Sequence, residues 1–352
     1  MNTETYHLLL DYYHLLSGSL TIIAALPVIV VICSIGLLFL LLRWWKTGLL
    51  FLVVGLGLNW YTQSIPLNPL TWRRVDIEQK EERTLRILEY NICHKPEFLE
   101  RNVVNFQLLA DFLLSKNADI LVLPEHMGPH ALQLDSVLRA NYPYNFDSVL
   151  HGGYEEDAVY SRYPITRCKH YTMNVDSVLA RHPEVDTGFL NTVHGSTMIY
   201  ELGLDIQGKT ATLVYVHLRS NSYDDAKGKE DRRRDKLRSV LESMKRNYAF
   251  RDAESEAICD SLAQHTDPLL ICGDFNDVSG SYVLNTLQHT LDLKDAWWER
   301  GLGPGFTFDD QHLLLRLDHL LYSSHFELLG VSLLSEADFS DHEPLLFDLR
   351  FK

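Results

Sequence analysis

Five short, largely apolar runs in this chain stop at a polar group, and this pattern restricts the fold more than any other feature. Leu85–Tyr90 ends at Asn91 and Ile120–Leu123 is followed by Pro124 and Glu125. Leu213–Val216 ends at His217, and Leu269–Cys272 enters Gly273-Asp274-Phe275-Asn276-Asp277. Leu315–Leu317 ends at Asp318-His319, and Ser340-Asp341-His342 comes late in the chain. Runs of this length bounded by turn formers read as buried strands. Between them lie helical patterns. Glu100–Lys116 carries Val103, Val104, Leu108, Leu109, Phe112 and Leu113 at helix spacing, Asp224–Gln264 is long and charged, and Gly280–Gln288 is a third segment. Residues 197–206 and 209–218 read as a hairpin about Gly208, and Arg316–Tyr322 and Leu345–Phe351 as closing strands. Helices mixed with hairpins predict a mixed sheet with helices on its faces, an α/β fold.

The first part of the chain differs. Leu20–Leu42 is 23 residues without a charge, and a second apolar run starts at Thr47 and meets no charge until Arg73. A bilayer core of about 30 Å takes about 20 apolar residues at 1.5 Å each. Trp44, Trp45, Trp60 and Tyr61 sit where an aromatic belt would lie, and Pro27 is tolerable inside a span. Glu4 and Asp11 argue against a cleaved signal peptide. The expectation is a tail at 1–19 with an interfacial helix, two transmembrane helices at about 20–42 and 47–66, and a charged linker at 68–83. One domain would then fill 84–352. Arg43 and Lys46 place the interhelical loop in the cytoplasm, while Arg73, Arg74, Lys80 and Arg83 pull the other way. On balance the multi-pass membrane reading puts the large domain outside the cytoplasm.

The net charge is −15, and all of it falls after residue 83. That counts against a tight nonspecific nucleic-acid binder, although metal-binding carboxylates add to the same sum. The five cysteines are odd in number, widely spaced and without a CxxC, so neither a disulfide framework nor a zinc site is indicated. Strand ends in an α/β sheet gather along one edge, where ligands bind. The carboxylates, amides and histidines gathered there suit Mg²⁺, or Mn²⁺ as a second choice. Singly, each is ordinary: an Asn or Glu at a strand end is usually a turn residue, and an Asp-His pair is usually a surface ion pair. The ordered set is what carries information.

That set resembles the endonuclease/exonuclease/phosphatase superfamily, the group of DNase I, abasic-site endonucleases, neutral sphingomyelinases and inositol-phosphate phosphatases, with this chain as a membrane-anchored, bacterial-type member. The resemblance covers 84–352. It rests on Tyr-Asn-Ile at 90–92, Ala-Asp-Ile-Leu-Val-Leu-Pro-Glu at 118–125, Ser-Arg-Tyr-Pro-Ile at 161–165 and Val-His-Leu at 216–218. Gly-Asp-Phe-Asn at 273–276, Leu-Asp-His-Leu-Leu at 317–321 and Ser-Asp-His at 340–342 complete it. Pro124 stands where the family usually has Gln. The resemblance implies a four-layer α/β sandwich, two packed mixed β-sheets flanked by helices. It also implies roles. Glu125 would be the main metal ligand, helped by Asn91 and Asp341. Asp274 would activate the attacking water, and Asn276 would hold the nucleophile or a phosphate oxygen. His342 would donate to a nonbridging oxygen, with Asp318 behind it, and His217 would lie near the leaving group.

The function so implied is Mg²⁺-dependent hydrolysis of a phosphodiester or phosphomonoester, the substrate being a lipid head group, a small molecule or a nucleic acid. A tethered endonuclease or exonuclease acting on DNA and a non-catalytic binding protein on the same fold are the alternatives. Ser161–Ile165 reads as core strand and turn. Arg219, Ser220 and Asn221 are a substrate contact or a solvated loop. Arg232-Arg233-Arg234, flanked by Glu230, Asp231 and Asp235, reads as a solvated helix face.

Overall fold

The computed structural model describes residues 19–68, 73–81, 84–92, 104–126, 131–147, 157–171, 173, 180–183, 185, 198–220, 233–310 and 313–352. In chain order the described elements begin with helices α1 (Ser19–Leu41) and α2 (Trp45–Thr62). Strand β1 (Leu85–Glu89), helix α3 (Val104–Ser115) and strand β2 (Ile120–Leu123) follow. Next come α4 (Ala131–Asn141), β3 (Tyr144–Asp147), β4 (Ala158–Ser161), β5 (Ile165–His170), β6 (Met198–Ile206) and β7 (Lys209–His217). Then come α5 (Arg233–Leu262), β8 (Leu269–Asp274), α6 (Tyr282–Leu291), β9 (Leu293–Asp295) and α7 (Ala296–Arg300). The chain closes with β10 (Phe308–Asp310), β11 (Leu313–Leu315), β12 (Asp318–Ser323), β13 (Phe326–Leu333) and β14 (Leu345–Phe351).

Two six-stranded sheets form, in the orders β13-β14-β1-β2-β4-β3 and β5-β6-β7-β8-β12-β9, with β10 and β11 as a separate hairpin. Each is mixed: β1 runs parallel to β2, and β7 parallel to β8, while the other pairs are antiparallel. Strand alternation sorts the side chains into layers. Leu85, Ile87, Ile120, Val122 and Phe347 of the first sheet meet Leu213, Tyr215, Leu270, Cys272 and Leu320 of the second. The outer face of the first sheet packs Leu88, Leu121 and Leu346 under Leu109, Leu113, Leu134 and Leu138 of α3 and α4. The outer face of the second packs Val214, Ile271 and Leu321 under Ile258, Leu262, Leu284 and Leu287 of α5 and α6. The result is the expected four-layer sandwich of two mixed sheets between helices. Each buried Leu or Ile contributes about 1.5–3 kcal/mol by leaving water.

The segment at 73–81 packs on this sandwich. Val75 is buried against the outer core of the first sheet. The buried Arg86 guanidinium donates to Asp348 (Nε–Oδ1 2.8 Å, Nη2–Oδ2 2.9 Å) and to the carbonyls of Asp76 and Ile77. The expected interfacial helix at Asn2–Ser17 lies outside the described residues.

The two transmembrane helices are corrected by the structure, and with them the multi-pass localisation and the extracytoplasmic placement. Among the described residues no helix is long and apolar enough to cross a membrane. The second helix, α2, has 18 residues, ~27 Å against a core of ~30 Å, and carries Lys46 in its first turn. Near its end the Asn59 side chain is committed to both the N–H and the C=O of Ile65. The hairpin of α1 and α2 meets the sandwich at its far end. Gly280 (φ +78°) lies so close that a Cβ there would be 2.4 Å from the Thr62 carbonyl oxygen. Asn68 donates to the Trp298 carbonyl at 2.6 Å, and the Trp60 and Trp298 rings meet edge to face.

The Arg86–Asp348 pair generates a stability prediction. Asp348→Ala leaves a buried guanidinium without its carboxylate and is expected to cost about 3 kcal/mol or more. Urea denaturation measures this; a loss under about 1 kcal/mol would show that the pair is not a structural tie.

Candidate functional site

The site is the open end of the intersheet core. On β1, Leu85 and Ile87 face that core, and by period two the next positions on the same side are Glu89 and Asn91. On β8 the series is Leu270, Cys272, Asp274; on β7 it is Leu213, Tyr215, His217. On β12, which runs the other way, Leu320 and Tyr322 lie behind Asp318. Register then aligns the ends: Asp274 is opposite Asp318 on one side and His217 on the other. Gly273 makes this possible. Its φ is +141°, and a Cβ there would sit 2.0 Å from the Val216 carbonyl oxygen, so only glycine fits. Glu125 and Asn276 both hold left-handed backbone, φ 55° and 49°. For Glu125 that conformation costs about 1–2 kcal/mol, strain of the kind that gathers at functional sites.

The side chains converge. Asn91 is fully buried, and its amide donates to Glu125 Oε1 at 3.1 Å and to Asp274 Oδ2 at 3.0 Å. Asp274 Oδ1 accepts the Asn276 N–H at 2.7 Å, and the Asn276 side chain donates to the Leu218 carbonyl at 2.9 Å. His342 Nδ1 lies 2.8 Å from Asp318 Oδ2, and its Nε2 lies 3.9 Å from Asp274 Oδ2. The Phe308 ring stands edge-on to His342 with centroids 5.0 Å apart. His217 reaches Glu125 Oε1 at 3.8 Å through Nε2 and Asp157 Oδ1 at 3.4 Å through Nδ1.

Seven of the eight residues singled out from the sequence thus form one connected cluster. Asp341, the eighth, stands beside His342 in the chain, but its carboxylate is bonded to the Ser340 hydroxyl at 3.3 Å. Among the described residues, two groups offer ligand atoms within 4.8 Å of one another: Glu125, His217 and Asp274; and Asp274, Asp318 and His342. Glu125 is common to the sequence expectation and the first group, whereas Asp341 is in neither.

Two residues were missed by sequence reasoning. Asp157 is fully buried, accepts the Glu125 N–H at 3.1 Å and faces His217. It precedes an unremarkable strand, and nothing local signals it. Glu89 is also fully buried, on the core face of β1. The signal there was legible: a charge at a period-two core position. The Ser161–Ile165 segment turns elsewhere, with Arg162 bonded to Asn117, near Asp119. The Arg219 N–H is held by the buried Glu254, and its carbonyl by Arg251. Asn221 and Arg232 lie outside the described residues.

Electrostatics follow from burial. Burial raises Asp274, the neighbouring Asp318 raises it further, and His342, His217 and the Asn276 amide pull it back, leaving it at about 6. Burial opposes the charge on His342, but Asp318, Asp274 and Asp341 outweigh it and lift the imidazole to about 9. Asp318 is pushed up by burial and more than pulled back by the charge and hydrogen bond of His342, ending below its ordinary value. Burial, with the charges of Asp318 and Asp274, holds Glu89 far above the carboxylate range. His217 is raised despite burial by Asp157, Glu125 and Asp274.

The sequence profile of the Endonuclease/Exonuclease/phosphatase family matches residues 88–342. The chain belongs to this family. The family domain takes in the whole cluster, from Asn91 to His342. The chain is similar in fold to the human Nocturnin catalytic domain with bound sulfate (17% identity, TM-score 0.52, covering 77% of this chain and 95% of that one). It is also similar to D. rerio TDP2 complexed with single strand DNA product (13%, 0.51, 76% and 100%). Sphingomyelinase C from Streptomyces griseocarneus is a third (16%, 0.50, 75% and 99%). A search of curated proteins by sequence found no match. The likenesses speak for the fold, and none supports a membrane-anchored, bacterial-type member.

The His342 pairing has a measurable sign. A histidine whose folded pKa lies above its unfolded value adds stability that is complete below about 6.5 and lost as pH rises through about 9. In metal-free protein, NMR titration is expected to give His342 a midpoint near 9. In Asp318→Asn the midpoint should fall, because the carboxylate charge that most favours the imidazolium is gone. An unmoved midpoint would dissociate the two residues.

Proposed function

We propose that this chain is a divalent-metal-dependent hydrolase of phosphate esters, with Mg²⁺ as its ion and Asp274 as the base that activates water. The observation that carries this reading is the buried Asp274 carboxylate, oriented by Asn91 and the Asn276 amide, with the ring of His342 3.9 Å away. A base near 6 is ionised at neutral pH and still strong enough to take a proton from water in the transition state. His342, charged up to about pH 9 and backed by Asp318, would present an N–H to a phosphoryl oxygen. Asn276 would steady the nucleophile or a phosphate oxygen, and His217 would stand near the leaving group.

The donor set suits a hard cation, because oxygens dominate it and Glu125, His217 and Asp274 bring ligand atoms within 4.8 Å of one another. Glu125, with Asn91 beside it, would hold the ion, which when bound would neutralise charge on the phosphoryl group. A lipid or small-molecule phosphate ester fits the acidic chain better than DNA does, since −15 repels a polyanion. A panel of sphingomyelin, phosphoinositides, nucleotides and plasmid DNA, assayed with Mg²⁺ and with EDTA, tests the reading. No divalent-dependent turnover of any member would leave a binding protein on this fold.

Asp274→Asn and His342→Ala are each expected to lower kcat about 10²-fold or more with KM largely kept. Asp318→Asn should be milder. Its combination with His342→Ala should be little worse than His342→Ala alone, because partners acting as one unit are not additive. Additive losses in that cycle would break the pairing. Glu125→Ala is expected to raise the Mg²⁺ concentration for half-saturation, while Lys169→Ala, on the edge strand β5, behaves as wild type. An unchanged half-saturation in Glu125→Ala would put the metal elsewhere.

A further inference from the structure

The strands that bring His217 and Asp274 to the site run on into two loops, and one buried cation touches both. Leu218, the first residue after β7, keeps the strand alternation and packs with Val214 and Val216 under α5 and α6. Its N–H donates to the Asp274 carbonyl at 2.9 Å, and its own carbonyl accepts the Asn276 side chain at 2.9 Å. At the next residue α5 takes over. The Arg219 N–H donates to Glu254 Oε2 at 3.0 Å, and the Arg219 carbonyl accepts Arg251 Nη1 at 2.8 Å. Residues three apart share a helix face, so one face of α5 holds both backbone groups of Arg219. The same guanidinium reaches the second loop. Arg251 Nε lies 3.6 Å from Oδ2 of Asp277, the last residue of the Gly-Asp-Phe-Asn-Asp run and one without a role so far. Asp277 Oδ1 accepts the Val278 N–H at 2.9 Å, and the Asp277 carbonyl faces His319 Nε2 at 3.1 Å. Arg251, Glu254 and Asp277 are all buried, Arg251 completely.

We propose that Arg251 is a positioning residue: by bridging the Arg219 carbonyl and the Asp277 carboxylate it locks the loop after β7 to the loop after β8, and so holds His217 and Asn276 in register. Each loop carries one of these residues immediately before the group that Arg251 or Glu254 binds, or one residue further back. Asn276 stands next to Asp277 in left-handed backbone, φ 49°, a conformation that persists where its surroundings fix it. Burying a guanidinium completely is costly unless its partners are held ready for it, and here those partners are the backbone and carboxylate of two site loops. The Tyr248 ring, one turn back on α5 and 4.7 Å from the guanidinium carbon, completes the seat. A lysine would keep the charge and lose the fork that spans two partners. The kinetic part of this proposal rests on the hydrolase reading above; the structural part does not.

The test uses the full chain with Arg251→Lys, and with Arg251→Met combined with Asp277→Asn, which removes both buried charges together. Turnover of bis(p-nitrophenyl) phosphate with Mg²⁺ is measured, and the ring signals of His217 and His342 are followed at one pH by NMR in ¹⁵N-histidine-labelled protein. Both variants are expected to lower kcat roughly 10–100-fold with KM unchanged, because displacing a functional group by about 1 Å has an effect of that size. The melting temperature of the double variant should stay near that of the wild type, since neutral replacement of a whole buried ion pair is often tolerated. The His217 signals should move or broaden while those of His342, which Asp318 holds from another strand, stay in place. Wild-type kcat and unmoved His217 signals in the double variant would overturn the proposal. So would His342 signals that move as much as those of His217, because the change would then be a general loosening. Wild-type kcat in Arg251→Lys would overturn it as well, since a point charge would suffice without the bridge. If the double variant does not fold, Arg251→Lys carries the same test. If the wild type turns over no phosphodiester, the hydrolase reading fails, and the His217 signals alone decide the positioning role.

Discussion

The inner faces of the two sheets interlock through Leu85, Ile87, Ile120 and Val122 on one side and Leu213, Leu270, Cys272 and Leu320 on the other, and this contact sets the spacing on which the site depends. Packed sheets stand about 10 Å apart, close enough for side chains from both to touch. Where the apolar side chains stop, the same strand positions continue as Glu89, Asn91, His217, Asp274 and Asp318. The site is therefore the last layer of the core with its chemistry changed. Its rigidity comes from the layers beneath it, which explains how a carboxylate can be held in place with almost no exposure.

Charges in that layer must compensate one another, because water cannot. Asp274 and Asp318 face each other across a strand pair, and His342 lies between them. Asp318 falls below its ordinary pKa and Asp274 rises above its own, so two carboxylates in one pocket are driven apart in basicity. Such a division is the usual mark of a site where one group must accept a proton and another must stay charged. Asp157 does similar work for His217 and also takes the Glu125 amide, tying a strained backbone to a ring on the other sheet.

Around this centre the periphery is bound by specific ties. Arg86 links β1, β14 and the segment before the domain. The end of the α1–α2 hairpin reaches the loop that follows Asp274 through Gly280. The uncharged runs that suggested two bilayer spans form this hairpin instead, with a lysine in the first turn of α2 and an asparagine hydrogen-bonded near its end.

The strands that lead into Asn91, Glu125, His217 and Asp274 were legible in the sequence, since a short apolar run and a polar stop are local properties; Asp318 instead opens β12, and the run before it belongs to the β10–β11 hairpin. Gly-Asp-Phe-Asn carried its own evidence, because the glycine is required wherever β7 and β8 approach as closely as they do. The β13 strand, Phe326–Leu333, was not read, and Arg316 was taken into a strand that begins at Asp318. In the fold its guanidinium is buried against Asp295 instead. Pairing across distance was out of reach. That Arg86 meets Asp348 and that Asp157 stands behind His217 depend on which strands become neighbours and on what register they adopt. Residue order determined the kinds of groups available and the strand ends that carry them. Only the packing of one sheet on the other decided which carboxyls, amides and imidazoles meet, because that depends on distances between residues far apart in the chain and on the exclusion of water between them.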